Sequence, residues 1–203
     1  MTQHDDWSAA THNRLAEAIT RAREVRKMSA QQLADETERL HYPISRSQIA
    51  NYESRRKRGL DVTELLVLAA ALNTSPAALL YPGPYDKEVE ALPGTDSTEF
   101  HAVQWFSGLS HGFTDIVREP GGAGASGASA ARLRTEYRQN TQLLRLWRQL
   151  EEWQVRKASI VTPKGGSMTR EQREQIAFYD SQIEQLREQI EHMREDDGVG
   201  HDA

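Results

Sequence analysis

Ser45-Arg46-Ser47-Gln48-Ile49-Ala50-Asn51-Tyr52-Glu53-Ser54-Arg55-Arg56-Lys57-Arg58 is the stretch that decides the fold. Ser45 followed three residues later by Gln48 is a capping box, in which the serine oxygen takes an orphan backbone N–H and the glutamine reaches back. A helix over residues 45–54 is expected, with Ile49 and Tyr52 on one side and Arg46, Ser47, Gln48 and Asn51 elsewhere. Tyr52, on the Ile49 side, is expected in the core. Five basic residues (Arg46, Arg55, Arg56, Lys57, Arg58) stand against the single Glu53, in a chain whose formal charge is −5. A basic island at a short helix on an acidic chain is the electrostatic footprint of a DNA reader.

The flanking sequence supplies the helices that would carry such a reader. Leu15, Ile19, Ala22 and Val25 recur at helical spacing, which predicts an amphipathic helix over roughly residues 8–27. Ser29-Ala-Gln-Gln32 is a second capping box, opening a helix whose inward side is Leu33, Ala34 and Thr37. Pro43 stops that helix. Asp61-Val-Thr-Glu64 opens an apolar helix carrying Leu65, Leu66, Leu68, Ala69 and Leu72. Asn73 suits its C-terminal end, and Ser75-Pro76 starts a fifth short helix with Pro at its first position.

Leu15-Ala-Glu-Ala-Ile19, Met28-Ser-Ala-Gln-Gln-Leu-Ala34, Ile44-Ser-Arg-Ser-Gln-Ile-Ala-Asn-Tyr-Glu53 and Glu64-Leu-Leu-Val-Leu-Ala-Ala-Ala-Leu-Asn-Thr-Ser-Pro76 resemble the helix-turn-helix of the XRE family, which includes lambda-type phage repressors. The resemblance covers about residues 10–82. It implies an all-α fold in which five helices form a lambda-repressor-like domain, with the third helix in the major groove and the start of the second against the backbone. Carried over, the base readers are Arg46, Ser47, Gln48 and Asn51. Arg46 suits guanine O6/N7, and Gln48 or Asn51 suits adenine N6/N7. The backbone contacts are Gln31, Gln32, Ser45, Arg55, Arg56, Lys57 and Arg58. Two departures stand out. His41-Tyr42-Pro43 lengthens the turn before the third helix, and Ser54 to Arg58 replaces the short Asn-Gly turn common in the family.

Beyond residues 8–83 the charge changes. Residues 84–131 hold two Lys/Arg against seven Asp/Glu, whereas residues 1–83 hold eleven against ten. Residues 84–128 read as an acidic connecting segment, which would repel DNA unless it faced away. Asp96-Ser-Thr-Glu99 is expected to cap a helix bearing Phe100, Val103, Trp105, Phe106 and Leu109, with the aromatics packed. Gly121 to Ala130 reads as a flexible Gly/Ala/Ser linker. His101, His111 and Asp115 lack a metal-ligand spacing.

Residues 129–195 read as a helical hairpin. Leu133, Tyr137, Leu144, Trp147 and Leu150 make the stripe of a helix over 129–161, which Pro163-Lys-Gly-Gly166 breaks. Thr169 and Gln172 then cap a helix in which Ile176, Tyr179, Ile183, Leu186, Ile190 and Met193 alternate by three and four, an a/d heptad seam. Its partner is the preceding helix, a second subunit, or both in a four-helix bundle. Dimerisation is favoured, through Trp147, Leu150 and the six seam residues. Residues 195–203 are expected to be disordered.

The function expected is sequence-specific recognition of double-stranded DNA by a transcriptional regulator, a repressor of the phage-immunity kind, acting as a homodimer. The alternative is an antitoxin- or adaptor-type module that grips a protein partner through residues 96–113 or the C-terminal hairpin, with autoregulatory DNA binding. No nucleophile–base pair, nucleotide loop or cysteine is present, so neither an enzyme nor a cofactor is expected. The N-terminus has no signal-peptide pattern and no apolar run approaches the ~20 residues of a membrane span, so a cytoplasmic, nucleoid-associated protein is expected.

Overall fold

The computed structural model describes residues 3–56, 59–110, 112, 128–160 and 168–199. The chain forms two compact units, residues 1–133 and 134–203.

The first unit begins with α1 (Gln3–Val25), α2 (Ala30–Arg39), α3 (Arg46–Glu53), α4 (Val62–Ala71) and α5 (Pro76–Leu80). Each start is local chemistry. Ser29, Ser45 and Asp61 complete capping boxes with Gln32, Gln48 and Glu64, and the Ser75 hydroxyl caps α5 ahead of Pro76. The helix ends share another device. Lys27, His41, Arg55 and Asn73 all take positive φ, between 51° and 61°. After α3 the Arg55 N–H donates to the Tyr52 carbonyl at 2.9 Å and the Arg56 N–H to the Asn51 carbonyl at 3.0 Å. That is the Schellman pair that satisfies the last orphan carbonyls of a helix. The same two bonds close α1, α2 and α4 around Lys27, His41 and Asn73.

The five helices enclose one apolar core built from Leu15, Ile19, Leu33, Ile44, Ile49, Tyr52, Leu68 and Leu79 among others. At about 1.5–3 kcal/mol for each large aliphatic side chain buried, this cluster is the main source of the unit's stability. Thr37 is fully buried within it and pins the long turn after α2. Its hydroxyl donates to the Ala34 carbonyl at 2.8 Å and accepts the Ile44 N–H at 2.9 Å.

The segment after residue 84 is more than a connection. Glu88–Leu92 (β1) and Thr95–Thr98 (β2) form an antiparallel hairpin around Pro93-Gly94, with Glu88 opposite Thr98 and Val89 opposite Ser97. Asp96 to Thr98 therefore belong to a strand, and Thr98 alone caps α6 (Glu99–Phe106), its hydroxyl accepting the His101 N–H. The expected cap over Asp96–Glu99 is corrected accordingly. The signal was present as Val89 and Ala91, which alternate inward while Glu88 and Glu90 turn away, the period-2 pattern of a strand, followed by a Pro-Gly turn. Val89, Ala91, Tyr81 and Ala102 form a second small core. Trp7 Nε1 donates to the Glu90 carbonyl at 3.0 Å, tying α1 to the hairpin, and α1 begins at Gln3, earlier than its apolar periodicity suggests.

The second unit contains α8 (Gln142–Ala158) and α9 (Arg170–Val199); α7 (Ala128–Asn140) contains the boundary between the units. The long helix expected over 129–161 breaks at Thr141, whose hydroxyl donates to the Tyr137 carbonyl at 2.7 Å, a back-bond that competes with the helical ladder. α9 folds back along α8. Leu150, Ile183, Leu186 and Ile190 are buried between them, with Leu143, Leu146 and Trp153 packed alongside. The Trp153 ring lies 5.5 Å from that of Tyr179, and Lys157 pairs with Asp180.

Three expectations change here. Leu133, Leu144 and Trp147 are exposed rather than lining the stripe. Leu143, Leu146, Leu150 and Trp153 form it instead, because their 3-4-3 spacing complements the heptad of α9. Residues 128–130 are helical, so the linker reading applies only to 121–127, which lie outside the described residues, as does the Pro163–Gly166 break. α9 continues to Val199, past the point at which disorder was expected, since propagation adds a hydrogen bond per residue once a helix exists.

Candidate nucleic-acid interface

α3 turns Ile49 and Tyr52 fully inward and leaves Arg46, Ser47, Ala50, Asn51 and Ser54 exposed on the opposite face. At 100° per residue these five occupy one continuous strip. Ala50 lies between Arg46 and Asn51, where a methyl group can meet a thymine methyl. The sequence reading passed over it because alanine carries no polar signal. Among the described residues, the side chains of Arg46 and Asn51 make no hydrogen bond or ion pair.

Gln48 is placed differently. It sits at the rim, half-buried, with Oε1 accepting the Ser45 N–H at 2.9 Å and the Ser45 hydroxyl at 2.8 Å. Only its amide N–H groups remain available. The donor–acceptor pair that adenine N6/N7 requires is therefore split by the capping box. Ser47 Oγ lies 3.0 Å from Ser45 Oγ.

The backbone-contact candidates divide in the same way. Gln32 closes the α2 capping box through Oε1, which accepts the Ser29 N–H at 2.8 Å, and Gln31 donates to Asp35 at 2.7 Å. Arg55 is paired with Glu17 across from α1. Arg56 is exposed in the turn that follows. Lys57 and Arg58 lie outside the described residues. The basic island is thus partly neutralised by an acidic side chain that lies far away in sequence.

The orientation of α3 is held from beneath. Arg23 near the end of α1 clamps Glu53, the last residue of α3, with Nε 2.6 Å from Oε1 and Nη2 2.9 Å from Oε2. Arg23 Nη1 also donates to the Met28 carbonyl at 2.8 Å. The two side chains are only 16% and 15% exposed. The hydrogen bond to Glu53 raises the Arg23 pKa above the usual arginine value, against the opposing effect of burial.

His101 Nδ1 is 3.0 Å from the Thr98 hydroxyl at the α6 cap, and His111 and Asp115 lie outside the described residues. Among the described residues no cluster could hold a metal ion, and no helix is long and apolar enough to cross a membrane.

A short helix with a polar outward strip, seated on α2 across a buried turn, defines a helix-turn-helix DNA-binding module. The Helix-turn-helix family model matches residues 19–79, and this part of the chain is an XRE-family, lambda-repressor-like domain. No curated protein and no solved structure matches the chain. The domain marks the protein as a DNA-binding transcription regulator whose partner is double-stranded DNA. The family is a regulatory one, not typically enzymatic.

Proposed function

We propose that this protein is a dimeric, sequence-specific repressor that reads the major groove with the exposed strip of α3. The observation that carries the reading is the uncommitted pair Arg46 and Asn51 flanking Ala50 on a helix held by the Arg23–Glu53 clamp. Arg46 reads guanine, Ala50 meets a thymine methyl, and Asn51 pairs with adenine. Gln48, as a donor only, serves guanine O6/N7 or thymine O4. Gln31, Gln32 and Arg56 position the domain on phosphates, whereas Ser45 spends its N–H and its hydroxyl on Gln48. A homodimer would read half-sites about 10–10.5 bp apart, or a multiple of that. Such a protein represses by occupying its operator, as a phage-immunity repressor does.

The reading is tested by selection from a random DNA library with the full chain. An enriched inverted repeat supports it. An enriched asymmetric motif removes the two-fold part, and no enrichment at low salt removes specific DNA binding.

One observation favours the adaptor reading as a second function. Phe100 and Phe106 are about half exposed on α6, as are Tyr85, whose carbonyl accepts the Phe100 N–H, and Leu109. Exposed apolar and aromatic side chains on a short segment suit a protein partner. A protein that copurifies with the parent and is lost on Phe106→Ala would support it.

A further inference from the structure

The second unit divides its charge by helix. Residues 134–149 carry four Arg against the single Glu136, in a chain of formal charge −5, whereas α9 carries four basic residues against nine acidic ones. Arg134, Glu136 and Arg148 have partners within the chain. Arg138 and Arg145 are exposed, and among the described residues their side chains make no hydrogen bond or ion pair. Arg138, Gln142, Arg145 and Gln149 follow one another by 4, 3 and 4 residues, so they form one strip across the α7–α8 junction at Thr141. The strip borders the stripe of α8 that packs on α9 without belonging to it. Both arginines open onto one hollow of about 360 Å³, whose other walls are Thr135, Gln139, Gln142 and Leu146. Apart from Leu146, each of these side chains offers an N–H or O–H donor, and none is a carboxylate. The next residue along the strip, Glu152, is occupied by Arg156.

We propose that this strip is a second DNA contact, which holds backbone phosphates of the duplex bound by the helix-turn-helix domain. Duplex binding by the first unit is presupposed, and the strip adds affinity without base preference. A rise of about 1.5 Å per residue sets Arg138 and Arg145 about 10 Å apart, close to three steps of about 3.4 Å along one DNA strand. Two guanidiniums at that spacing reach phosphates of the same strand, and the glutamine amides donate to the oxygens between them. The acidic α9 of a second copy fits the strip less well, because Glu174, Asp180, Glu184 and Glu191 are already ion-paired within the chain.

The test is titration of the full chain with a mixed-sequence DNA duplex at several salt concentrations, with circular dichroism to verify helicity. Arg138→Gln and Arg145→Gln are each expected to lower the log–log salt slope by about 0.9, and the double variant by about 1.8. Arg138→Lys keeps the charge and should keep the slope. The base preference selected from a random library should remain that of the parent in all three. An unchanged slope in the double variant overturns the contact and leaves DNA binding to the first unit alone. A parent dimer that the double variant loses, by sedimentation equilibrium, would give the strip to a second copy instead of DNA. An altered base preference would show that the substitutions act through α3 and not on phosphates. A parent that binds no duplex at low salt overturns this contact together with DNA recognition by the first unit.

Discussion

Arg23 and Glu53 form a two-pronged ion pair, at 2.6 and 2.9 Å, that joins the end of α1 to the end of α3. Neither side chain belongs to the exposed strip of α3. Removing one partner strands the other where water reaches it poorly, which costs far more than an exposed pair would. Glu53→Ala is therefore expected to destabilise the domain by about 3 kcal/mol in urea denaturation. It should also weaken operator binding, because α3 loses the clamp that sets its angle.

The exposed strip of α3 yields a contrast between two variants. Arg46→Ala is expected to cost roughly 1–3 kcal/mol of operator affinity and to relax preference at one base pair. Ala50→Glu places a carboxylate against the groove and should abolish binding. Its effect on folding should stay within about 0.5 kcal/mol, because the site is exposed. Binding to a panel of operator variants, with thermal denaturation alongside, checks both.

The Glu17–Arg55 pair modulates the basic turn. Glu17→Ala should release the guanidinium to a phosphate and steepen the log–log dependence of affinity on salt by about 0.9. Titrations at several salt concentrations read this directly. An unchanged slope would mean that Arg55 does not reach DNA.

Lys27 closes α1 at φ 55°, a conformation that costs a side-chain-bearing residue about 1 kcal/mol relative to glycine. Lys27→Gly should therefore raise stability, or at least leave it unchanged, in a thermal melt. Loss of stability would show that the lysine side chain holds something that the helix end needs.

Burial raises the phenol pKa of Tyr81, nearby Glu99 adds to the rise, and Arg14 opposes it from 5.5 Å above the ring. The folded state thus favours the neutral phenol. This contribution is fully present below the unfolded value of about 10 and is lost as pH rises through the higher folded value. Stability of the first unit should fall at alkaline pH, and Tyr81→Phe should flatten that part of the profile.

The sequence by itself determined the helix starts, since a cap joins residues three apart and Ser29, Ser45, Asp61 and Thr169 announce theirs wherever they stand. It also determined the inward placement of Ile49 and Tyr52, which follows from periodicity alone. The β-hairpin was legible too, in Val89, Ala91 and Pro93-Gly94, but was overshadowed by the aromatic helix after it. Only the tertiary structure decided which polar groups on and around α3 are still available. Gln48 commits its oxygen to a cap and Arg55 meets Glu17, while Glu53 is claimed by Arg23. It likewise decided which stripe of α8 faces α9 and which is left outward. The physical reason is range: periodicity and caps are set by neighbours along the chain, whereas the availability of a charge or an apolar face depends on partners that only folding brings near.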